Sequence, residues 1–548
     1  GFDINFGQKP FKFPPPDGYQ PLNAANVRPE TVIARPDQYF GVTTWSGDSA
    51  ASRNIDIGIK KPDLVWLKNR FVAGRSHYLY DSVRGFGANK EIVSNTTDEE
   101  GSSNHLTQNH GYVGGNTING FTLIEGATNS NYTNQSGQSY VGWTWKAGGN
   151  KNTFNVDDVG YANASDVNMS VGALNNASYN KTQNWSAGGG SGLYSGSTWG
   201  PVFDGTPAAD GHNIAHSAYV TNNGSSTLTF STAISGVLTI KTCQGSDNTS
   251  SGTSRPYVEL SNGQTIRVDG GTSNPSTHSF GEVSNITSLT IRGTSAQGMN
   301  LIFVKLDGKL LVDSGATVNA PSIAPSGCSV GTKQGFSIIK YDGSGTAGDT
   351  IPHGLLQTPE FVVVKDTDDT DNWQIYHAGA QTSGAKLLKF TDTGVTSNNG
   401  PWNNTAPTST LITLGGGGTN DSDNTHICYA WHSVPGLQKF GSWTGINSAD
   451  GNFVELGFRP ALVIAKESSA TGAGAQWFML DSSRNTYNPL NNIIDINRSN
   501  GERQAVIYDF LSNGFKVRIS FNSGATFIYM AWAEAPAFNL YGGHSNAR

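Results

Sequence analysis

Along this 548-residue chain, apolar residues recur in short runs and alternations, and nowhere with helical spacing over three turns. The runs LVWLK (64–68), FVVVK (361–365) and LVIAK (462–466) are continuous, as in strands buried on both faces. Other stretches alternate. In YVGWTW (140–145), Val141, Trp143 and Trp145 share a face. Ile427, Tyr429 and Trp431 repeat that face in HICYAW (426–431), and Ile528, Met530 and Trp532 repeat it in FIYMAW (527–532). The opposite face ends in Thr144, Ala430 and Ala531, small enough for close packing against a second layer. These patterns predict an all-β fold of tandem antiparallel β-sandwich modules, jelly-roll or lectin-like in layout.

The patterns form an internal repeat. Each continuous run follows a proline (Pro62, Pro359, Pro460) and ends on a lysine (Lys68, Lys365, Lys466). Each alternating strand closes on a tryptophan: Trp145, Trp431, Trp532. Between them lie the polar-aromatic stretches HYLYDS (77–82), WQIYHA (373–378) and WFMLDS (477–482). A Gly-Phe strand precedes the closing one in NGFTLI (119–124) and NGFKVR (513–518), with STLITL (409–414) standing in for it in the second copy. The second copy also has no Arg-Gly after its polar-aromatic stretch. The repeat places modules at 31–148, 331–435 and 436–548, each of about 100 residues, a common domain size. The repeated lysine is expected to lay its stem over the core and keep its amine in water. The repeated tryptophan is expected to be a packing residue.

Residues 1–30 read as a closing strand and tail, cut by Pro14, Pro15 and Pro16. The Asn- and Ser-rich stretch 149–189 reads as a linker arm. From 190 to 316 strands return in a different sandwich with a carbohydrate-binding-module look, ending in two strands around Asp307-Gly308, a strong hairpin signal. Residues 317–330 read as a Pro/Ala/Ser linker.

Composition narrows the function. Only 14% of residues are charged, 68 are glycine, and the net charge is −7 without a long basic run. Nucleic acid is therefore an unsuitable partner, because its affinity comes largely from phosphate neutralisation. No stretch approaches the ~20 apolar residues of a spanning helix, and membrane insertion is not expected. Cys243, Cys328 and Cys428 are too scattered for a disulfide framework or zinc site, and Cys428 reads as a buried thiol.

Candidate chemistry is sparse. No nucleophile elbow, metalloprotease helix or phosphate loop is present, so no catalytic residue is assigned and the chain is read as a non-enzyme. In DTDDTDN (366–372), Asp368, Asp369 and Asp371 alternate with oxygen-bearing neighbours, as calcium loops do, although a solvated acidic turn is the plainer reading. Apart from Ca2+ there, no cofactor is expected. Trp185, Tyr194, Trp199 and Trp402 lie in Gly/Asn/Ser-rich loops, where exposed rings can stack on sugars. The competing reading is that each folds back as a loop anchor.

Two resemblances add to this. INFGQKPFKFPPPDGYQPLN (4–23) resembles the closing strand and tail of a SPRY domain, which implies that its partner strands lie upstream or on a neighbouring subunit. The three modules are similar to a domain abundant in marine, cyanophage-type bacteriophages, carried by KKPDLVWLKNR (60–70), HYLYDSVRGFG (77–87), FVELGFRPALVIAK (453–466) and FIYMAWAEAPAFNLYGGHSNAR (527–548). The resemblance implies an extracellular virion protein: a tail fibre or adhesin binding a host-surface glycan or protein, assembled as a homo-oligomer, a trimer being favoured, with other virion proteins. The alternatives are a capsid- or tail-decorating protein, a virion-associated glycan-degrading enzyme and a cellular surface filament protein.

Overall fold

In a computed structural model of the chain, residues 32–537 and 546 are described, apart from 168, 170–178, 181, 206–216, 247–249, 315–320, 356, 381–386, 396–399, 470–475 and 522. The SPRY-like strand and part of the expected 317–330 linker lie outside the described residues. Strands dominate, and among the described residues the one α-helix is the four-residue turn Thr107–His110. The chain divides into two compact units, 1–169 with 321–548, and 170–320.

The first unit holds the three repeats, and each builds its main sheet in one order. The closing strand (Ser139–Trp145, Thr425–Trp431, Thr526–Pro536) lies between a leading strand (Phe40–Ser46, Phe336–Asp342, Gln438–Thr444) and the Pro-to-Lys strand (Leu64–Asn69, Phe361–Asp366, Phe458–Glu467). The polar-aromatic strand (His77–Asp81, Gln374–His377, Phe478–Asp481) follows, then a fifth strand (Ile92–Val93, Leu388–Lys389, Leu490–Asp495). Pairing is antiparallel throughout. Pro62 and Pro359 precede their strands, and Pro460 sits at a register shift, so none removes a needed ladder donor. The Gly-Phe strands Gly120–Ile124 and Gly514–Val517 pair in the second layer, and Leu411–Thr413 takes that place in the second module.

The alternation read from the closing strands separates two cores. Their small-residue faces, with Thr144, Ala430 and Ala531, turn inward, and Cys428, Ala430 and Ala531 join the separate sandwich cores of their modules. Cys428 is a buried thiol. On the other face, Val141, Trp143, Trp145, Ile427, Tyr429, Trp431, Ile528, Met530 and Trp532 meet in one core shared by all three modules. Trp532 stands edge-on to Trp145 (centroids 5.3 Å apart) and to Trp431 (6.2 Å). The void left among these rings is only ≈ 20 Å³ and apolar, so the shared core is packed and dry. The modules are thus fused about a common core.

Hydrogen bonds close the three modules into a ring. Trp373 Nε1 of the second donates to Val93 O of the first (2.8 Å), and Trp477 Nε1 of the third donates to Lys389 O of the second (2.8 Å). In the first module His77 holds the tryptophan position. Its Nδ1 accepts from Trp66 Nε1 (3.0 Å), which leaves Nε2–H to donate to Asp495 O of the third (3.1 Å). Val93, Lys389 and Asp495 occupy one register position, opposite Tyr78, Gln374 and Phe478. Three equivalent contacts run in one direction, the connectivity of a cyclic trimer inside a single chain.

Three expectations are corrected. The expected 317–330 linker ends before Gly327, because Gly327–Gly331 pairs with Phe336–Asp342 as a strand of the second module's sheet. The stretch 149–189 is not all linker: Phe154–Val156 and Val159–Tyr161 pair, and the first adds in parallel to Gly327–Gly331 at the edge of the second module's sheet. Three-residue strands are too short to show an alternation. The lysines do not reach water either. Lys68, Lys365 and Lys466 are fully buried, because the face they extend is covered by the neighbouring modules.

Among the described residues the second unit is one eight-stranded system around the long strands Ser225–Gln244 and Ser276–Arg292, antiparallel except where Tyr179–Asn180 pairs in parallel with Lys309–Leu311, and it has its own core. Asp307 and Gly308 turn between Met299–Leu306 and Lys309–Leu311 with positive φ of 50° and 76°, the conformation a two-residue hairpin requires.

Candidate functional site

The four loop aromatics do not form a sugar-binding surface. Trp185, Trp199 and Trp402 are buried: Trp185 stands edge-on to Phe230 (5.9 Å), and Trp402 edge-on to Tyr376 (6.1 Å) in the second module's core. Trp199 turns its Nε1 towards Gly190 O (3.4 Å) and Ser226 Oγ (3.3 Å), so the shallow hollow beside it offers backbone and serine rather than a ring face. Glycine-rich turns let a tryptophan reach back to the core, and burying a ring outweighs leaving it in water. Tyr194 alone is exposed, at 48%, and it stands edge-on to Tyr219 (5.4 Å). Trp185 and Trp199 share one core, and neither offers a ring face to a sugar.

Nor do Asp368, Asp369 and Asp371 converge. Asp368 Oδ2 accepts from Thr425 N (2.9 Å), while Asp369 and Asp371 each accept from the next residue's N–H (2.6 Å). Asp369 and Asp371 cap their own turn while Asp368 ties it to the closing strand, and the three form no metal-sized cluster among the described residues.

A polar cleft between the first and second modules was not visible in the sequence. It encloses ≈ 620 Å³ and is lined by Gln38, Tyr39, Lys60, Lys146, Asp158 and Lys333, among others. Its floor is a charge cluster built on the buried Asp63 and Lys146. Lys146 Nζ donates to Asp63 Oδ2 (3.1 Å) and to Asp158 Oδ1 (2.8 Å). Asp63 also accepts from Ala147 N (2.7 Å), Gly149 N (3.2 Å) and Ser82 Oγ (2.9 Å). Burial pushes the Asp63 carboxyl up, against the pull of Lys146, while Asp63 and Asp158 together lift Lys146 despite its burial. Asp63 therefore holds the cleft floor rather than acting on a ligand. The groups left at the mouth suit a hydroxylated or acidic ligand. Their sequence positions, 38–39, 60, 146, 158 and 333, gave no local motif.

No helix among the described residues is long and apolar enough to cross a membrane. No curated protein matches the chain. A family described as a domain of unknown function, DUF7483, matches residues 35–254 and 311–536. Those stretches contain the main sheets of all three modules, and the match ends at Pro536, where the last closing strand ends. On that match, which spans most of its length, the chain belongs to the DUF7483 family.

Proposed function

We propose that this protein is a non-enzymatic structural protein of a bacteriophage virion, a tail fibre or adhesin that attaches to host-surface glycans or proteins outside the cell. The observation that supports it best is the closed ring of three modules on one buried aromatic core. A fold whose repeats seal one another presents its loops on a rigid body, which suits a protein that must hold a receptor while exposed to the medium. The polar cleft supports a glycan as ligand: Tyr39 offers a partly exposed ring beside lysine, glutamine and aspartate side chains. Assembly into a homo-oligomer with other virion proteins is part of this reading.

One observation also favours a second reading. A three-part ring in a single chain can seat on a threefold position of a capsid, as a decoration protein would.

Immunogold electron microscopy of purified virions, with antibody to residues 331–548, tests both. Label at tail tips or distal fibres is expected for the adhesin. Label over the capsid selects the decoration reading, and particles without label overturn both.

A further inference from the structure

The second module carries one cluster that its siblings lack. Asp366 ends the Pro-to-Lys strand, His426 stands opposite it in the closing strand, and Asp421 lies in the turn that leads into that strand. His426 Nε2 is 3.8 Å from Asp366 Oδ2 and 3.9 Å from Asp421 Oδ2, and one ligand atom from each of the three lies within 4.8 Å of the others.

The histidine is set up as a ligand. Its side chain is fully buried and stacks on Tyr341 (5.2 Å). Nδ1 lies 3.0 Å from Asn424 O. A carbonyl only accepts, so the proton sits on Nδ1 and the lone pair on Nε2. That lone pair has no hydrogen-bond partner, although it is buried and faces two carboxylates. A buried acceptor aimed at two anions is unfavourable unless a cation stands between them.

Neither carboxylate has a lysine or arginine partner among the described residues. Lys365 is near, but its Nζ donates to the carbonyls of Asp366 (2.5 Å) and Asp369 (3.2 Å). Asp366 Oδ2 accepts from Asn424 Nδ2 (2.7 Å) and Asp421 Oδ2 from Gly418 N (2.6 Å), which orients both and leaves each a further lone pair. Asp421, 40% exposed, leaves a path from solvent. The equivalent positions to Asp366 and His426 are Asn69 and Tyr140 in the first module and Glu467 and Phe527 in the third. The shared fold therefore does not require the cluster.

We propose that Asp366, Asp421 and His426 bind a divalent transition-metal ion, zinc being the best match to one imidazole and two carboxylates, which clamps the Gly415–Asn424 turn onto the sheet. Calcium and magnesium prefer all-oxygen sets, whereas an imidazole suits zinc, copper, iron or nickel. Donors about 2.0–2.2 Å from one ion stand roughly 3–3.6 Å apart, so the two histidine–carboxylate separations close with shifts of a few tenths of an ångström. The two carboxylate oxygens, within 4.8 Å of each other, close with a shift of up to about 1 Å of the partly exposed Asp421.

The test is calorimetric titration of the full, EDTA-stripped chain with zinc chloride, checked by elemental analysis. One zinc per chain is expected. Asp421→Asn, at a partly exposed position, is expected to weaken it at least about a hundredfold with the circular dichroism unchanged. His426→Gln is expected to do the same, and Asp368→Asn with Asp369→Asn to leave binding intact. Three results overturn the proposal: no zinc uptake, uptake unaffected by Asp421→Asn and His426→Gln, or preferential calcium uptake that depends on Asp368 and Asp369.

Discussion

The first and third modules anchor to a neighbour through an aspartate and an arginine, and the second through a histidine. In the first, Asp81 Oδ1 accepts from Val83 N (3.0 Å) and Arg84 N (2.8 Å), and Oδ2 takes Arg84 Nε (2.6 Å). Asp481 and Arg484 repeat each of these bonds in the third. The spare capacity of each carboxylate faces an adjoining module: Tyr429 Oη of the second donates to Asp81 (2.7 Å), and Trp143 Nε1 of the first donates to Asp481 (3.1 Å). Register places Met530 of the third module where Trp143 and Tyr429 stand. A thioether has no proton to give, so a carboxylate facing it would be unpaired. The second module accordingly holds His377, whose Nδ1 accepts the turn N–H of Gly379 (3.0 Å) and whose Nε2 donates to Tyr529 O (3.1 Å). Ala380 fills the arginine position. Where the neighbour offers a donor the anchor is an acceptor, and where it offers a carbonyl the anchor is a donor. What looked in the sequence like a degenerate repeat is a matched pair of changes across one interface.

The sharpest way to break the comparison is to remove an acidic anchor. Asp81→Ala leaves the Arg84 guanidinium, 3% exposed, without its main partner and Tyr429 Oη without an acceptor. Losing one member of a buried pair costs about 3–5 kcal/mol. The expected outcome is a large fall in the urea midpoint, with Asp481→Ala matching it. If the two differ widely, the modules are not equivalent parts of one ring.

The converse exchange comes next. His377→Asp puts a carboxylate against Tyr529 O and supplies no arginine, at a cost of about 2–3 kcal/mol for a buried unpaired acceptor. Adding Ala380→Arg and Met530→Tyr should recover part of that loss in a multiple-mutant cycle. Full additivity of the three changes would show that the anchors do not act together.

The alternation of Trp143 and Trp145 with Gly142 and Thr144 disclosed both faces of the closing strands, and the continuous LVWLK-type runs said that both faces are covered. What covers the second face was not legible, because an apolar stripe does not say whether its partner is a solitary layer or two further copies. The same gap misled the reading of Lys68, Lys365 and Lys466: at a strand end facing water a lysine snorkels, but here the neighbouring module occupies that space. Loop aromatics such as Trp402 were ambiguous because local composition is the same for a ring that stacks on a sugar and a ring that plugs a core. The cluster at His426 was half visible, since Asp366 begins the acidic run, but Asp421 and His426 join it only through strand pairing.

Smaller effects distinguish the ring bonds themselves. Trp373→Phe and Trp477→Phe each remove one N–H to a neighbouring module's carbonyl and leave a small void. Each is expected to cost about 1–2 kcal/mol in thermal or denaturant unfolding. Equal losses would support equivalent positions in the ring; a loss at only one would show that the other bond is incidental.

The mildest test compares two buried lysines by pH. Burial lowers Lys68 to about 7 and Lys466 to about 8. Lys68 Nζ donates to Asn69 O (2.9 Å), whereas Lys466 donates to Glu467 O (2.9 Å) and Thr393 O of the second module, with the charges of Glu467 and Asp392 pulling it up. A base whose folded pKa lies below its unfolded value carries a penalty when both states are protonated. Between the folded and unfolded values the unfolded chain binds the extra proton, so stability rises with pH, by up to about 1.4 kcal/mol per unit for each lysine. Below the folded value the penalty is constant. Tyr78 and Tyr508, raised by burial, act oppositely, but only above about pH 10, where an unfolded tyrosine ionises. Between pH 7.5 and 9.5, Lys68→Met should therefore flatten the rise in melting temperature more than Lys466→Met does, because the window for Lys68 opens a unit lower. Both variants should be as stable as the parent or more so at pH 7, since an apolar chain replaces a charge buried without a carboxylate partner. A slope unchanged by Lys68→Met would mean that the amine reaches water through an opening between the first and third modules, and that their seal is looser than that of the other two.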